Sequence, residues 1–229
     1  MTRIRIENVV ASTSLGEHLD LQRIAMRLDG AEYEPSEFPG LIYRMKEPKT
    51  AVLLFQSGKV VCTGGKSWKQ VDESVRTISA LIRKAGQKVI AKPKIEIQNI
   101  VATSNLETEI NLNSIALTLG LDRVEYEPEQ FPGLVCRLET PRVVLLLFGS
   151  GKLVCTGARR PKDVELAVEH ITKELARAGL LGGKRTANPV AASPRAGRTR
   201  SVEHMPGNVG QDHISAGPDD TAVSETLGA

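Results

Sequence analysis

The sequence predicts an α+β fold in which two similar halves build one antiparallel sheet of about ten strands with all helices on one face. Three observations lead there. A long stretch is written twice: residues 32–64, EYEPSEFPGLIYRMKEPKTAVLLFQSGKVVCTG, align without a gap on residues 125–157, EYEPEQFPGLVCRLETPRVVLLLFGSGKLVCTG. Connections between the β-branched runs are too short for parallel crossovers, so neighbouring strands must pair antiparallel. Each half also holds only two amphipathic helical segments, enough to cover one face of such a sheet and leave the other bare.

Composition narrows the classes. The 229 residues are 41% hydrophobic and 25% charged, as in ordinary globular proteins, and the length allows one sizeable core or two small ones. No apolar run approaches the ~20 residues that span a bilayer. The N-terminus, MTRIRIENVV, has no signal-peptide design and reads directly into a strand. Cys62, Cys136 and Cys155 are odd in number, lack CxxC spacing and sit in apolar runs, which fits a reducing cytoplasm. The net charge of +3 is too small to argue for nucleic acid by itself.

Taken in order, each half reads alike. A strand comes first, Ile4 to Ala11 and, 91 residues later, Ile95 to Thr103. A short helix follows, with apolar positions Leu21, Ile24, Ala25 and Leu28, or Leu112, Ile115, Ala116 and Leu119. Three or four strands come next, two of them joined at Ser57-Gly58 and Ser150-Gly151, where glycine supplies the positive φ of a tight hairpin. A longer helix closes each half. In the first, Ser67 and Gln70 form a capping box, Val71, Val75, Ile78 and Ile82 the apolar stripe, and Gly86 the stop. In the second, Pro161 opens the helix, Val164, Val168, Ile171 and Leu175 repeat the stripe, and Gly179 ends it. Lys92-Pro93-Lys94 is a short joint. The expected division is therefore residues 1–92 and 93–181, sharing one sheet, with residues 182–229 as a disordered tail. In that tail, residues 184–200 carry five basic and no acidic side chains, and residues 203–229 carry five acidic and no basic ones.

Alternation along the strands says what the bare face carries. Lys59, Val61 and Thr63 share one side, and Val60 and Cys62 the other. Leu53 and Phe55 point together, and Ile6, Asn8 and Val10 are expected to share a side. The helix-facing set, Val9, Val52, Leu54, Val60 and Cys62, is apolar. The opposite set mixes apolar side chains with Asn, Thr, Lys and Phe, the character of an interaction surface. Cover by a second sheet or subunit and a role as an interaction surface both remain open at this point.

At these residues the chain resembles the TATA-binding protein family, archaeal type, over residues 3–181. The marks are the paired first strands (ENVVAS and QNIVATS), two FPGL segments, two LLF-x-SGK-x-VCTG segments and a helix after each. The resemblance implies a saddle-shaped, strongly curved antiparallel sheet of two pseudo-symmetric repeats, helices on the convex face, and a concave face seated in the minor groove of double-stranded promoter DNA. Kinking by inserted wedges is a known property of that family itself. By position, Phe38 with Phe55 and Phe131 with Phe148 are the implied wedge pairs, holding all four phenylalanines of the chain. Asn8, Asn99, Thr63 and Thr156 are the implied polar groove contacts. Val10, Val61, Val101, Val154, Leu53 and Leu146 are the apolar ones. Arg44, Lys59, Lys66, Arg137, Lys152 and Arg159 match basic positions that neutralise phosphates. Glu127 and Glu129 match the contact with transcription factor B, which with RNA polymerase completes the implied partners. Glu37 stands where many eukaryotic members are basic, and Gln130 replaces an apolar residue.

Other signals are weaker. Gly149 to Lys152 lacks the GxxxxGK[ST] spacing of a phosphate loop. His18 and His170 have no ligand partners at metal-site spacing, and no cofactor is implied. No nucleophile–base pair is visible, so the chain does not read as an enzyme. Trp68, at a helix start, reads as a packing residue. The expected function is a general transcription initiation factor in the cytoplasm, associated with the nucleoid. The alternative is a structural or ligand-binding module, without DNA, whose open sheet face is covered by self-association.

Overall fold

The computed structural model describes residues 3–120 and 122–181; the tail expected over 182–229 lies outside the described residues. In chain order the elements are β1 (Arg5–Ser14), α1 (Leu21–Ala25), β2 (Ala31–Glu32), β3 (Gly40–Met45), β4 (Thr50–Phe55), β5 (Lys59–Gly65) and α2 (Trp68–Lys84). They are followed by β6 (Glu96–Asn105), α3 (Leu112–Leu119), β7 (Val124–Glu125), β8 (Gly133–Glu139), β9 (Arg142–Phe148), β10 (Lys152–Ala158) and α4 (Pro161–Arg177). All ten strands join one antiparallel sheet in the order β2-β3-β4-β5-β1-β6-β10-β9-β8-β7. The order is the same read from either edge inward, so the pseudo-twofold axis passes between β1 and β6.

Helix ends follow the local sequence. The Ser67 side chain accepts from the Gln70 backbone N–H at 3.3 Å, as expected. Gln70 Oε1 accepts instead from the N–H of Lys66 at 2.7 Å, so the box closes one residue earlier than the motif implies. Gly86 (φ 84°) and Gly179 (φ 70°) take the left-handed conformation after the caps Ala85 and Ala178. There the N–H groups of Gln87 and Leu180 reach the Ile82 and Leu175 carbonyls at 3.2 and 2.9 Å. At the β4–β5 hairpin Gly58 has φ 79°, and its α-carbon faces the Gly16 carbonyl so closely that a Cβ would lie 2.0 Å away. Backbone and space both demand glycine there.

The helices bury one face of the sheet. Leu54, Leu41, Ile78 and Ile82 are fully buried in the first half, and Leu134, Leu145, Leu147 and Ile171 in the second. Each such side chain contributes about 1.5–3 kcal/mol by leaving water. The predicted helix-facing set, Val9, Val52, Leu54, Val60 and Cys62, is buried. The cysteines are free and buried; burial pushes the Cys155 thiol up to about 11, leaving it unreactive. Trp68 corrects an expectation: it is 50% exposed and takes no core position.

A second correction concerns β1. Ile6 packs against the cores of both halves, so it lies on the helix side and does not share a face with Asn8 and Val10. Pairing between β1 and β6 shifts between Ile6 and Asn8, and again between Val10 and Ala11. Each bulge inserts one residue and breaks the alternation. The residues left without a direct partner are Glu7 and, by the second shift, Gln98, which lies between Ile97 and Asn99.

One buried polar pair distinguishes the halves. Thr50 Oγ1 and Ser74 Oγ lie 2.8 Å apart and are buried. At the equivalent positions the second half has buried Val143 and Ala167, an apolar solution to the same packing. Thr50→Val alone should cost about 1 kcal/mol, because a buried hydroxyl loses a partner. The double change Thr50→Val/Ser74→Ala should recover that loss or exceed wild type. Urea unfolding of the three proteins checks it; a double variant less stable than the single one would contradict it.

Candidate nucleic-acid interface

The face opposite the helices is floored by rows that the register fixes. Ile42, Leu53, Val61 and Ser12 lie side by side across β3-β4-β5-β1. Val135, Leu146, Val154 and Thr103 form the matching row across β8-β9-β10-β6. Between them Val10 pairs with Asn99 and Asn8 with Val101. All are half-buried, covered partly by their neighbours and by no helix. Ile42, Val135, Ser12 and Thr103 were not singled out from sequence, although Ile42 and Val135 share the parity of Arg44 and Arg137 and could have been.

The asparagines are held in one orientation. Asn8 Oδ1 accepts from the Gly64 N–H at 2.8 Å and from the Thr63 hydroxyl at 3.3 Å. Asn99 Oδ1 accepts from the Gly157 N–H at 2.8 Å, and its Nδ2 donates to Thr156 Oγ1 at 3.3 Å. A backbone N–H can only donate, so it assigns the carbonyl end of each carboxamide. The amino end of Asn8, and the Asn99 amino hydrogen that does not go to Thr156, are left to serve the open face near the dyad.

Beside them stands a pair that strict alternation along the strands hides. Glu7 accepts from the Thr103 hydroxyl at 2.9 Å, and Gln98 Nε2 donates to the Ser12 hydroxyl at 2.8 Å. These are symmetry-related interactions, made by a carboxylate on one side and an amide on the other. The Thr103 hydroxyl, then the Arg5 guanidinium and the Lys66 ammonium, hold the Glu7 carboxyl below the usual carboxylate range. It is therefore an anion at neutral pH. The signal that could have found the pair is the repeat offset of 91, which aligns Glu7 on Gln98.

The four rings stand as two pairs at opposite ends of the floor. Phe38 and Phe55 meet edge to face with centroids 5.9 Å apart and planes at 66°. Phe131 and Phe148 repeat this at 5.9 Å and 68°. Phe55 and Phe148 end the strands β4 and β9. Phe38 and Phe131 follow a tight turn in which their N–H groups donate to the Glu34 and Glu127 carbonyls, both at 2.9 Å. Phe131 is 39% exposed, a large apolar surface left in water.

The basic positions divide into two groups. Arg44 is paired with Glu32 at 3.3 Å, Arg137 with Glu125 at 3.3 Å, and Lys66 with Glu7 at 3.2 Å. Such exposed pairs are weak and exchange readily. Lys59, Lys152 and Arg159 are exposed and, among the described residues, form no salt bridge. At the outer end of the second half, Glu127, Pro128, Glu129 and Gln130 line a shallow open depression. Glu37 is exposed on the equivalent turn. Among the described residues no group of His, Cys, Asp and Glu could hold a metal ion, and no helix is long and apolar enough to cross a membrane.

An open sheet of two fused repeats, with donors at its centre and ring pairs at its ends, defines a duplicated binding platform. Comparison with known proteins gives its family. The family model described as "Transcription factor TFIID (or TATA-binding protein, TBP)" matches residues 3–85 and 94–178. The TATA-box-binding protein of Thermoplasma acidophilum is 60% identical over 179 residues, 78% of this chain and 97% of that protein. TATA-box-binding protein E of Halobacterium salinarum is 57% identical over 178 residues, 78% of this chain and 96% of that one. Among solved structures, Methanococcus jannaschii TBP superposes with a TM-score of 0.72 at 48% identity, covering 76% of this chain and 99% of that chain. The chain belongs to the TATA-binding protein family, whose members are DNA-binding transcription initiation factors and not enzymes. The ten-stranded sheet is that family's saddle, built from two repeats.

Proposed function

We propose that this protein is a general transcription initiation factor that seats its open face in the minor groove of TATA-box promoter DNA. It kinks the duplex by inserting its phenylalanine pairs and offers the bent complex to transcription factor B and RNA polymerase, within the cytoplasm and against the nucleoid. The supporting observation is the open face itself: an apolar floor, amide donors at the dyad and a ring pair at each end. The minor groove of A·T pairs shows only acceptors, while G·C adds an amino donor. Carboxamides held with their donors outward suit the first and clash with the second. A·T-rich steps, TA above all, also unstack at least cost. Glu127 and Glu129, on an exposed turn beyond the groove, are the proposed contact for transcription factor B. Residues 1–92 and 93–181 act as the two repeats of one reader. A fluorescence-resonance bending assay on TATA and G·C-rich duplexes, repeated over a range of salt, tests the reading; equal affinity for the two duplexes would sink it.

Glu7 gives a further expected result. In this reading its carboxylate faces a polyanion and occupies Lys66 and Arg5. Glu7→Gln restores the symmetry with Gln98 and frees both cations. Affinity for a TATA duplex should rise roughly 3- to 10-fold, about 0.7–1.4 kcal/mol. The slope of log affinity against log salt should steepen by about 0.9 for each further phosphate neutralised. Titrations at four salt concentrations check this; an unchanged slope would contradict it.

A further inference from the structure

We infer that Gly40 and Gly133 are positioning residues that set the pitch of the two ring pairs, an inference that rests on the wedge reading above. Each glycine lies two residues after a ring, in Phe38-Pro39-Gly40 and Phe131-Pro132-Gly133. Each also pairs directly across the sheet with the other ring of its pair, Gly40 with Phe55 and Gly133 with Phe148. Both rings thus lean over one α-carbon. Neither glycine has a positive φ, so backbone conformation is not what calls for glycine. Space is. A Cβ on Gly40 would lie 2.6 Å from Phe38 Cε1, 3.1 Å from Phe55 Cε1 and 3.2 Å from the Leu54 carbonyl oxygen. On Gly133 it would lie 2.7 Å from Phe131 Cε1 and 3.0 Å from Phe148 Cε1.

The two halves are independent copies of this arrangement, and they agree within 2° in ring angle and share one centroid separation. Something must give when a methyl is added. The Leu54 carbonyl belongs to the sheet and is fixed. Phe55 and Phe148 are anchored in paired strands. Phe38 and Phe131, on turns before the sheet, are the rings free to yield. A single methyl would therefore tip the leading ring off its partner without touching the dyad; at Gly40 it also presses on the Leu54 carbonyl 3.2 Å away, whereas the three nearest atoms at Gly133 all belong to the two rings. It would change how the pair enters a base step while leaving the groove contacts in place.

The test uses the full chain and a TATA duplex with 2-aminopurine at the base step of either end, read by its unstacking fluorescence. Gly133→Ala is expected to cut the signal at the second-half end at least 5-fold, to leave the first-half end unchanged, and to weaken affinity about 10-fold. Gly40→Ala should give the mirror result. The coupling decides the cause: in a Phe131→Ala background, Gly133→Ala should cost much less, because the nearer ring is gone and only the Phe148 contact at 3.0 Å remains. An equal cost in both backgrounds would overturn the inference. If Gly133→Ala alone fails to fold, Phe131→Ala/Gly133→Ala must fold and bind nearly as Phe131→Ala does; if it also fails, the glycine serves the backbone and the inference is lost. If Phe131→Ala and Phe148→Ala themselves leave both signals intact, the wedge reading fails first, independently of the glycines.

Discussion

Phe131→Ala and Phe148→Ala are each expected to leave the protein folded and to abolish most of the bending of a TATA duplex. Phe131 is 39% exposed and Phe148 half-buried on the uncovered face, so truncation removes little from the core. The cost to stability should stay near 1 kcal/mol, largely the lost edge-to-face contact. The cost to binding is larger. Unstacking a base step takes a few kcal/mol, which the inserted ring offsets by filling the opened step and letting bent DNA reach more of the sheet. Without the ring the step recloses. Affinity should fall by a factor of 10 to 100, about 1.4–2.8 kcal/mol, and the resonance-transfer efficiency of the bound duplex should drop toward that of free DNA. Thermal unfolding and the bending assay on the same samples separate the two effects. A variant that binds and bends as wild type does would remove the rings from the mechanism.

Asn99→Asp should be at least as damaging, for an electrostatic reason. The two side chains have the same shape. An aspartate would still accept from the Gly157 N–H, now 2.8 Å from Asn99 Oδ1, so the fold should survive. What changes is the other end: an amino group that gives one hydrogen to Thr156 Oγ1 and keeps the other for the open face becomes a charged acceptor facing groove acceptors and a polyanion. Lost donation and added repulsion together predict a fall in TATA affinity of 100-fold or more, about 2.7 kcal/mol. Asn99→Ala removes the donors without adding charge and should lie between. Binding measured at low and high salt distinguishes the terms, since only the repulsion is screened. If Asn99→Asp bound as well as Asn99→Ala, the outward orientation of the amide would be wrong.

Much of this architecture is legible in the sequence, and what is not has physical causes. The duplicated stretch gives the halves, hairpin glycines give the antiparallel order, and helical stripes give the covered face. Val52, Leu54, Val60 and Cys62 are buried as their alternation requires. Alternation fails where its assumption fails. The bulges in β1 and β6 arise from pairing between strands 91 residues apart, and no residue in ENVV or QNIV announces them. They put Ile6 among the helices and bring Glu7 and Gln98 to the groove side. The edge strands β2 and β7 are two residues long, too short for any pattern. Their glutamates, Glu32 and Glu125, were therefore not connected with Arg44 and Arg137, the arginines they hold.

Ile6 and Ile97 touch the cores of both halves, and this has a mechanical meaning. Side chains shared by the two interiors tie the halves together across the dyad. The ring pairs at the far ends of the sheet are therefore held at a set span, like the jaws of a fixed gauge. In the proposed reading the protein measures its site as well as opening it. A duplex whose two easily unstacked steps are one base pair too far apart can offer only one of them at a time.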